Sequence, residues 1–148
     1  MEGIIKKDCH SEMINELLFV YGSLLNADNE FAVYLNNSAS LFSTGKIKGK
    51  LYDIGDYPGA VIDPNENYEI KGSIYKLNNP PDALKILDDY EGFGDGRAQP
   101  NLFVRKFLPV ETINRTVYCW VYLYNLPVDG LPEIKTGDYI DYLNNLYI

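Results

Sequence analysis

Two short stretches hold residues whose types and spacing can do chemistry. The first is Tyr21-Gly22-Ser23-Leu24, at the end of the apolar run Leu17-Leu18-Phe19-Val20-Tyr21. A buried strand that stops at Gly-Ser leaves several backbone N–H groups unpaired just past its end, and such a turn binds a carboxylate or an oxyanion. An ordinary strand-to-helix turn fits the same residues. The second is Glu91, in Asp88-Asp89-Tyr90-Glu91-Gly92-Phe93. It follows two acids and stands where a helix should end. The negative end of the helix dipole and the like-charged neighbours both favour its protonated form. A carboxyl group of raised pKa is a general acid/base; a solvated surface glutamate is the alternative.

The remaining chemical inventory is thin. The 148 residues include one histidine, His10, and two cysteines, Cys9 and Cys119. These cannot build a four-ligand Cys/His zinc site, and a Ser-His-Asp or Cys-His machine would depend on His10 in a polar leader. Asp63-Pro64-Asn65-Glu66-Asn67 begins like a calcium loop, but Tyr68 stands where that loop needs glycine and Ile74 where it needs glutamate. Gly92-Phe93-Gly94-Asp95-Gly96 is glycine-rich but follows a helix and is not a phosphate cradle, so it reads as a flexible loop. Asp88 and Asp89 read as exposed helix acids, and no other feature suggests a sugar cleft. If the protein is an enzyme, its chemistry runs on carboxylates, hydroxyls and backbone amides.

Charge and hydropathy narrow the partners. Lys and Arg number 13 against 21 Asp and Glu, a net charge of −8, so no cationic stripe awaits nucleic acid. No run approaches the roughly 20 apolar residues of a membrane span. Residues 1–16 carry Lys6, Lys7, Asp8, Glu12 and Glu16 and lack the apolar stretch of an export signal. The expectation is a cytoplasmic protein with reduced cysteines, a leader over residues 1–16 and one domain over 17–148.

The elements that must position these residues are legible in outline. Leu17 to Tyr21 reads as a buried strand. Asn26 or Asp28 can cap a short helix through about Leu35. From Ser40 to Ile62 the pattern is β-like, with Gly45, Gly49, Gly55 and Gly59 suggesting bends or bulges. Tyr68 to Leu77 alternates. The clearest helix starts at Asn79-Pro80-Pro81-Asp82, carries Leu84, Leu87 and Tyr90 as an apolar stripe with Ala83 and Ile86 beside them, and ends at Gly92. Asn101 to Ile113 and Thr116 to Asn125 form a predicted hairpin whose second strand has large residues on both faces, as in a sheet that curls into a barrel. A short helix ends the chain. The sum is an α+β single domain: a mixed, mostly antiparallel, barrel-like sheet with two or three short helices.

Taken in order, several of these pieces resemble the gamma-glutamylcyclotransferase-like superfamily, from about Leu18 to about Leu143. They are Tyr21-Gly22-Ser23-Leu24, Tyr57-Pro58-Gly59-Ala60, Ile70-Lys71-Gly72-Ser73-Ile74-Tyr75, Leu87-Asp88-Asp89-Tyr90-Glu91-Gly92, and Pro127-Val128-Asp129-Gly130-Leu131 followed by Thr136-Gly137-Asp138-Tyr139. The tail is most similar to the gamma-glutamylamine cyclotransferase branch and its small bacterial relatives. The resemblance implies a gamma-glutamyl substrate cyclised to 5-oxoproline with release of an amine, no metal or organic cofactor, and Glu91 as the catalytic acid/base. It implies substrate contacts from Tyr21, Gly22, Ser23 and Leu24, and from Arg105 with Tyr75 and Tyr139 at the rim. The family's Tyr-x-Arg is Phe103-Val104-Arg105 here, and the loop from Phe93 to Pro100 is long. The competing expectation is a catalytically silent binding or interaction domain of the same fold, which an exposed Glu91 far from the Tyr21 turn would favour.

Overall fold

The computed structural model describes residues 16–22, 30–65 and 67–146. The strands are β1 (Leu17–Val20), β2 (Ala39–Asp53), β3 (Pro58–Ile62), β4 (Glu69–Leu77), β5 (Phe103–Glu111), β6 (Thr116–Tyr124) and β7 (Glu133–Ile134). The helices are α1 (Glu30–Ser38), α2 (Pro80–Glu91) and α3 (Tyr139–Leu146). Five strands run β2-β4-β1-β6-β5, and β5 returns to β2 through the pair Lys46–Glu111, which closes a small barrel. β3 and β7 extend the far half of β2. Among the described residues the β1–β6 pair is parallel and every other pairing is antiparallel. The α+β barrel-like domain read from the sequence is therefore the one observed. No helix among the described residues is long and apolar enough to cross a membrane.

Two cores explain why β1 is apolar at every position. Leu17, Phe19 and the following Tyr21 point into the barrel with Ile47, Ile70, Ile74, Val110, Cys119 and Val121. Leu18 and Val20 point outward, into a second core with Leu35, Leu77, Ala83, Leu84, Leu87, Phe103 and Tyr122. A strand buried on both faces shows no polar alternation. The same two-sided burial accounts for the large residues on both faces of β6.

Some local expectations shift. β2 is one strand of 15 residues, and its register irregularity falls between Leu41 and Ser43 rather than at a glycine. The helix expected to start from Asn26 or Asp28 reaches Ser38; both caps lie outside the described residues. Asn79 does not cap the backbone of α2: its side-chain amide donates to Asp82 Oδ2 at 3.0 Å. Ile86 and Tyr90 are exposed at 42% and 38%, so the buried stripe of α2 is Ala83, Leu84 and Leu87. One turn beyond Leu87 on that face stands Glu91.

Candidate active site

A cavity of about 240 Å³ opens where β1 ends. Tyr21 and Gly22 come from the end of β1, Tyr57 and Pro58 from the approach to β3, Leu102 and Phe103 from the start of β5, Tyr122 from β6, and Tyr90 and Glu91 from the last turn of α2. Glu91 is the one carboxylate among the described lining residues.

The sequence fixes Glu91 there by terminating α2 at the right residue. Gly92 takes the left-handed conformation, φ 73° and ψ 31°. The N–H of Phe93 donates to the Asp88 carbonyl at 2.9 Å and that of Gly92 to the Asp89 carbonyl at 3.4 Å. This is a Schellman cap, and it leaves Glu91 as the last helical residue. Burial pushes the Glu91 carboxyl up to about 7 from an ordinary 4.5. Its charge is felt at the hydroxyls of Tyr21, Tyr57 and Tyr122, which are pushed up in turn, first by their own burial. A carboxyl group that titrates near neutrality inside a cavity can both accept and return a proton.

Tyr21 anchors the end of β1. Its hydroxyl donates to the carbonyl of Tyr122 and accepts from the N–H of Ala60 at 3.3 Å. That proton is spent within the protein, so Tyr21 offers the cavity its ring rather than a free donor. Gly22 is required by contact: a Cβ there would sit 2.5 Å from Pro58 Cγ and 2.9 Å from Cδ. The Tyr57-Pro58-Gly59-Ala60 stretch thus packs against the Tyr21-Gly22 turn. Ser23 and Leu24 lie outside the described residues.

The three expected rim residues are not among those lining the cavity. Arg105 is held by Asp88: its Nε donates at 2.7 Å and its Nη2 at 3.0 Å. Its guanidinium also lies 4.4 Å from the centre of the Trp120 ring. Asp88 is accordingly no exposed helix acid. Tyr75 pairs with Leu18 and packs on the outer core. Tyr139 is buried in the barrel core and stacks on Tyr142. Phe103, two residues before Arg105, does line the cavity; its ring centre is 5.8 Å from that of Tyr57 and 5.6 Å from that of Tyr124. The loop expected to be flexible is pinned by Asn101, which exchanges bonds with Gly94 at 3.1 and 3.2 Å and donates to Ala98 at 3.2 Å. Tyr57, Pro58 and Tyr122 line the cavity although no local sequence signal singles them out as site residues. Tyr57 and Pro58 stand in a motif whose partner only the fold supplies, and Tyr122 is one of several large residues on the two faces of β6.

Fold and cavity together define a small α+β barrel with a half-buried carboxyl group, that of Glu91, in a cavity at the end of its first strand. Residues 18–141 match the family model described as gamma-glutamyl cyclotransferase, AIG2-like. The gamma-glutamylcyclotransferase family protein YtfP of Escherichia coli K12 is 32% identical over 126 residues, 84% of this chain and 96% of its own length. The gamma-L-glutamyl-butirosin B gamma-glutamyl cyclotransferase of Niallia circulans is 33% identical over 127 residues, 84% and 76% of the two chains. Among solved structures, the solution structure of E. coli ytfP superposes with a TM-score of 0.61 at 29% identity, over 85% of this chain and 97% of that one. The mouse AIG2-like protein superposes at 0.65 with 22% identity, over 84% and 87%, a likeness of fold. The chain belongs to the gamma-glutamyl cyclotransferase, AIG2-like family, and is an enzyme of the cyclotransferase type.

Proposed function

We propose that the protein converts a gamma-glutamyl amide or gamma-glutamylamine into 5-oxoproline and a free amine by internal aminolysis. The observation that carries this reading is Glu91: one carboxylate, pushed up to about 7 by burial, in a cavity it shares with the Tyr21-Gly22 turn. The substrate brings its own nucleophile, its α-amine. Ionised Glu91 takes a proton from the α-ammonium, and the amine nitrogen then attacks the side-chain amide carbon. A C–N bond forms to close the five-membered lactam, and the old amide C–N bond breaks. Glu91 returns that proton to the leaving nitrogen and takes the second proton of the attacking nitrogen as the lactam forms, and this second proton passes to the released amine, which leaves as its ammonium ion. No serine, cysteine or metal is needed in this scheme. A base of pKa near the working pH is best suited to this double duty.

By the family resemblance, the Tyr21-Gly22-Ser23-Leu24 segment, of which Tyr21 and Gly22 line the cavity, receives the substrate's α-carboxylate or the developing oxyanion. The cavity holds a group the size of an amino acid in a folded conformation, and folding brings amine and carbonyl together. The Niallia circulans relative is named for gamma-L-glutamyl-butirosin B; by that likeness the leaving group here is an amine. The test is release of 5-oxoproline from gamma-glutamyl dipeptides, gamma-glutamyl-ε-lysine and glutathione by the parent and by Glu91→Gln. Turnover of at least one compound, falling about 10²-fold or more in the variant, is expected for general acid/base catalysis. Equal turnover in the two proteins overturns the mechanism, and binding without turnover by the parent overturns the activity in favour of a silent binding domain.

A further inference from the structure

Asp88 and Glu91 stand three positions apart in the last turn of α2, so their side chains share one side of that helix. Asp88 is the meeting point of three elements. It accepts two bonds from Arg105 of β5, at 2.7 and 3.0 Å, and one from the Tyr122 hydroxyl of β6 at 2.7 Å. Both partners of the ion pair are largely enclosed, with side-chain exposures of 18% and 20%. The guanidinium is covered by Trp120 at 4.4 Å and Phe93 at 5.8 Å. Tyr122 in turn accepts the Tyr21 hydroxyl at its carbonyl. One chain of hydrogen bonds therefore links the turn after β1, the β5–β6 sheet and the helix end that carries Glu91.

Among the described residues, the groups around Glu91 come from several elements. β1 contributes Tyr21, the approach to β3 contributes Tyr57 with Asp56 beside it, and β6 contributes Tyr122. Burial holds those three hydroxyls above their ordinary range, so they are neutral at any working pH. α2 itself contributes Asp88, Asp89 and Tyr90; Asp89 is paired with Arg97. Arg105 is the cation from β5. The fixed charges of the inner network are thus one negative and one positive, joined to each other.

We propose that Asp88 and Arg105 are positioning residues for Glu91: the pair pins the last turn of α2 over the cavity and cancels two charges that would each, alone, change how tightly Glu91 holds its proton. This inference rests on Glu91 being the acid/base. It has a signature that a merely structural clamp lacks. Removing one charge at a time moves Glu91 in opposite directions, because each deletion leaves the other charge exposed to it.

The experiment titrates the Glu91 side-chain carboxyl by carbon NMR in the full chain without substrate. Glu91→Gln identifies the resonance, and the same variants are assayed for 5-oxoproline release against pH. In Asp88→Asn the freed guanidinium lowers the Glu91 midpoint by about 1 pH unit, the low end for a neighbouring opposite charge. In Arg105→Gln the bare Asp88 raises it by about as much. The double variant, with neither charge, returns close to the parent. Arg105→Lys keeps the charge and loses the two-pronged geometry, so its midpoint holds while kcat falls; it serves if either neutral variant fails to fold. Midpoints that do not move, or that move the same way in both single variants, overturn the proposal. Opposite shifts without 5-oxoproline release by the parent would instead overturn the activity and leave the charge balance standing.

Discussion

Replacing Glu91 by Gln keeps the shape of the side chain and removes its ionisation, which ties stability and turnover to one group. Folding raises the carboxyl from 4.5 to about 7, so between those values the folded chain binds more protons than the unfolded one. Stability then falls as pH rises through that window. Each tenfold change in ionisation is worth about 1.4 kcal/mol, so ionised Glu91 destabilises the parent by about 3 kcal/mol above pH 7 and by little below pH 4.5. Gln escapes this penalty. Urea unfolding of parent and variant at pH 5 and pH 8 should show the variant gaining about 2.5 kcal/mol on the parent between the two conditions. Over the same range the parent's kcat/KM should rise with pH through a midpoint near 7, because in the proposed mechanism the ionised carboxylate is the form that accepts the α-ammonium proton. The variant should lose at least about 10²-fold in kcat while still binding substrate. A stability difference that is the same at pH 5 and pH 8 would refute a folding-raised Glu91. A rate midpoint near 4.5 would refute it independently.

Three further perturbations probe the frame of the cavity. Gly22→Ala drives a methyl group into Pro58, at 2.5 Å from Cγ, and should cost about 1–3 kcal/mol in urea unfolding; Pro58→Ala in the same chain should recover part of that loss. Tyr21→Phe strands the Ala60 N–H and the Tyr122 carbonyl in the core, for a loss of about 1–3 kcal/mol, with KM changing less than stability. Phe103→Tyr adds a hydroxyl at the cavity wall beside Tyr57. It should change the ranking of gamma-glutamyl substrates by kcat/KM while leaving the unfolding midpoint within about 0.5 kcal/mol; an unchanged ranking would mean that the hydroxyl does not reach the substrate.

The sequence by itself determined most elements and their order, the short strand β7 excepted, because apolar periodicity, Pro-Pro at a helix start and Gly92 at its end act over a few residues. The hairpin from Phe103 to Tyr124 pairs in the expected antiparallel manner, and β1 ends where Gly22 follows the apolar run. Glu91 could be singled out for the same local reason: a carboxylate at a helix end is unusual. Three outcomes needed the tertiary structure. Arg105 sits on strand β5 and its partner Asp88 on helix α2, 17 residues apart, so no spacing rule joins them and the arginine looked available to substrate. Tyr139 and Tyr75 carry hydroxyls that suit a pocket rim, but closure of the barrel put one in the inner core and set the other against the outer one. Glu91 owes its raised pKa chiefly to burial rather than to the helix end, and burial is a property of what packs around it. Tyr21, Tyr57 and Tyr122 reach that cavity from three separate stretches of chain. Local propensity acts along the backbone, whereas desolvation and ion pairing act through space, and only the closed barrel decides which distant residues meet.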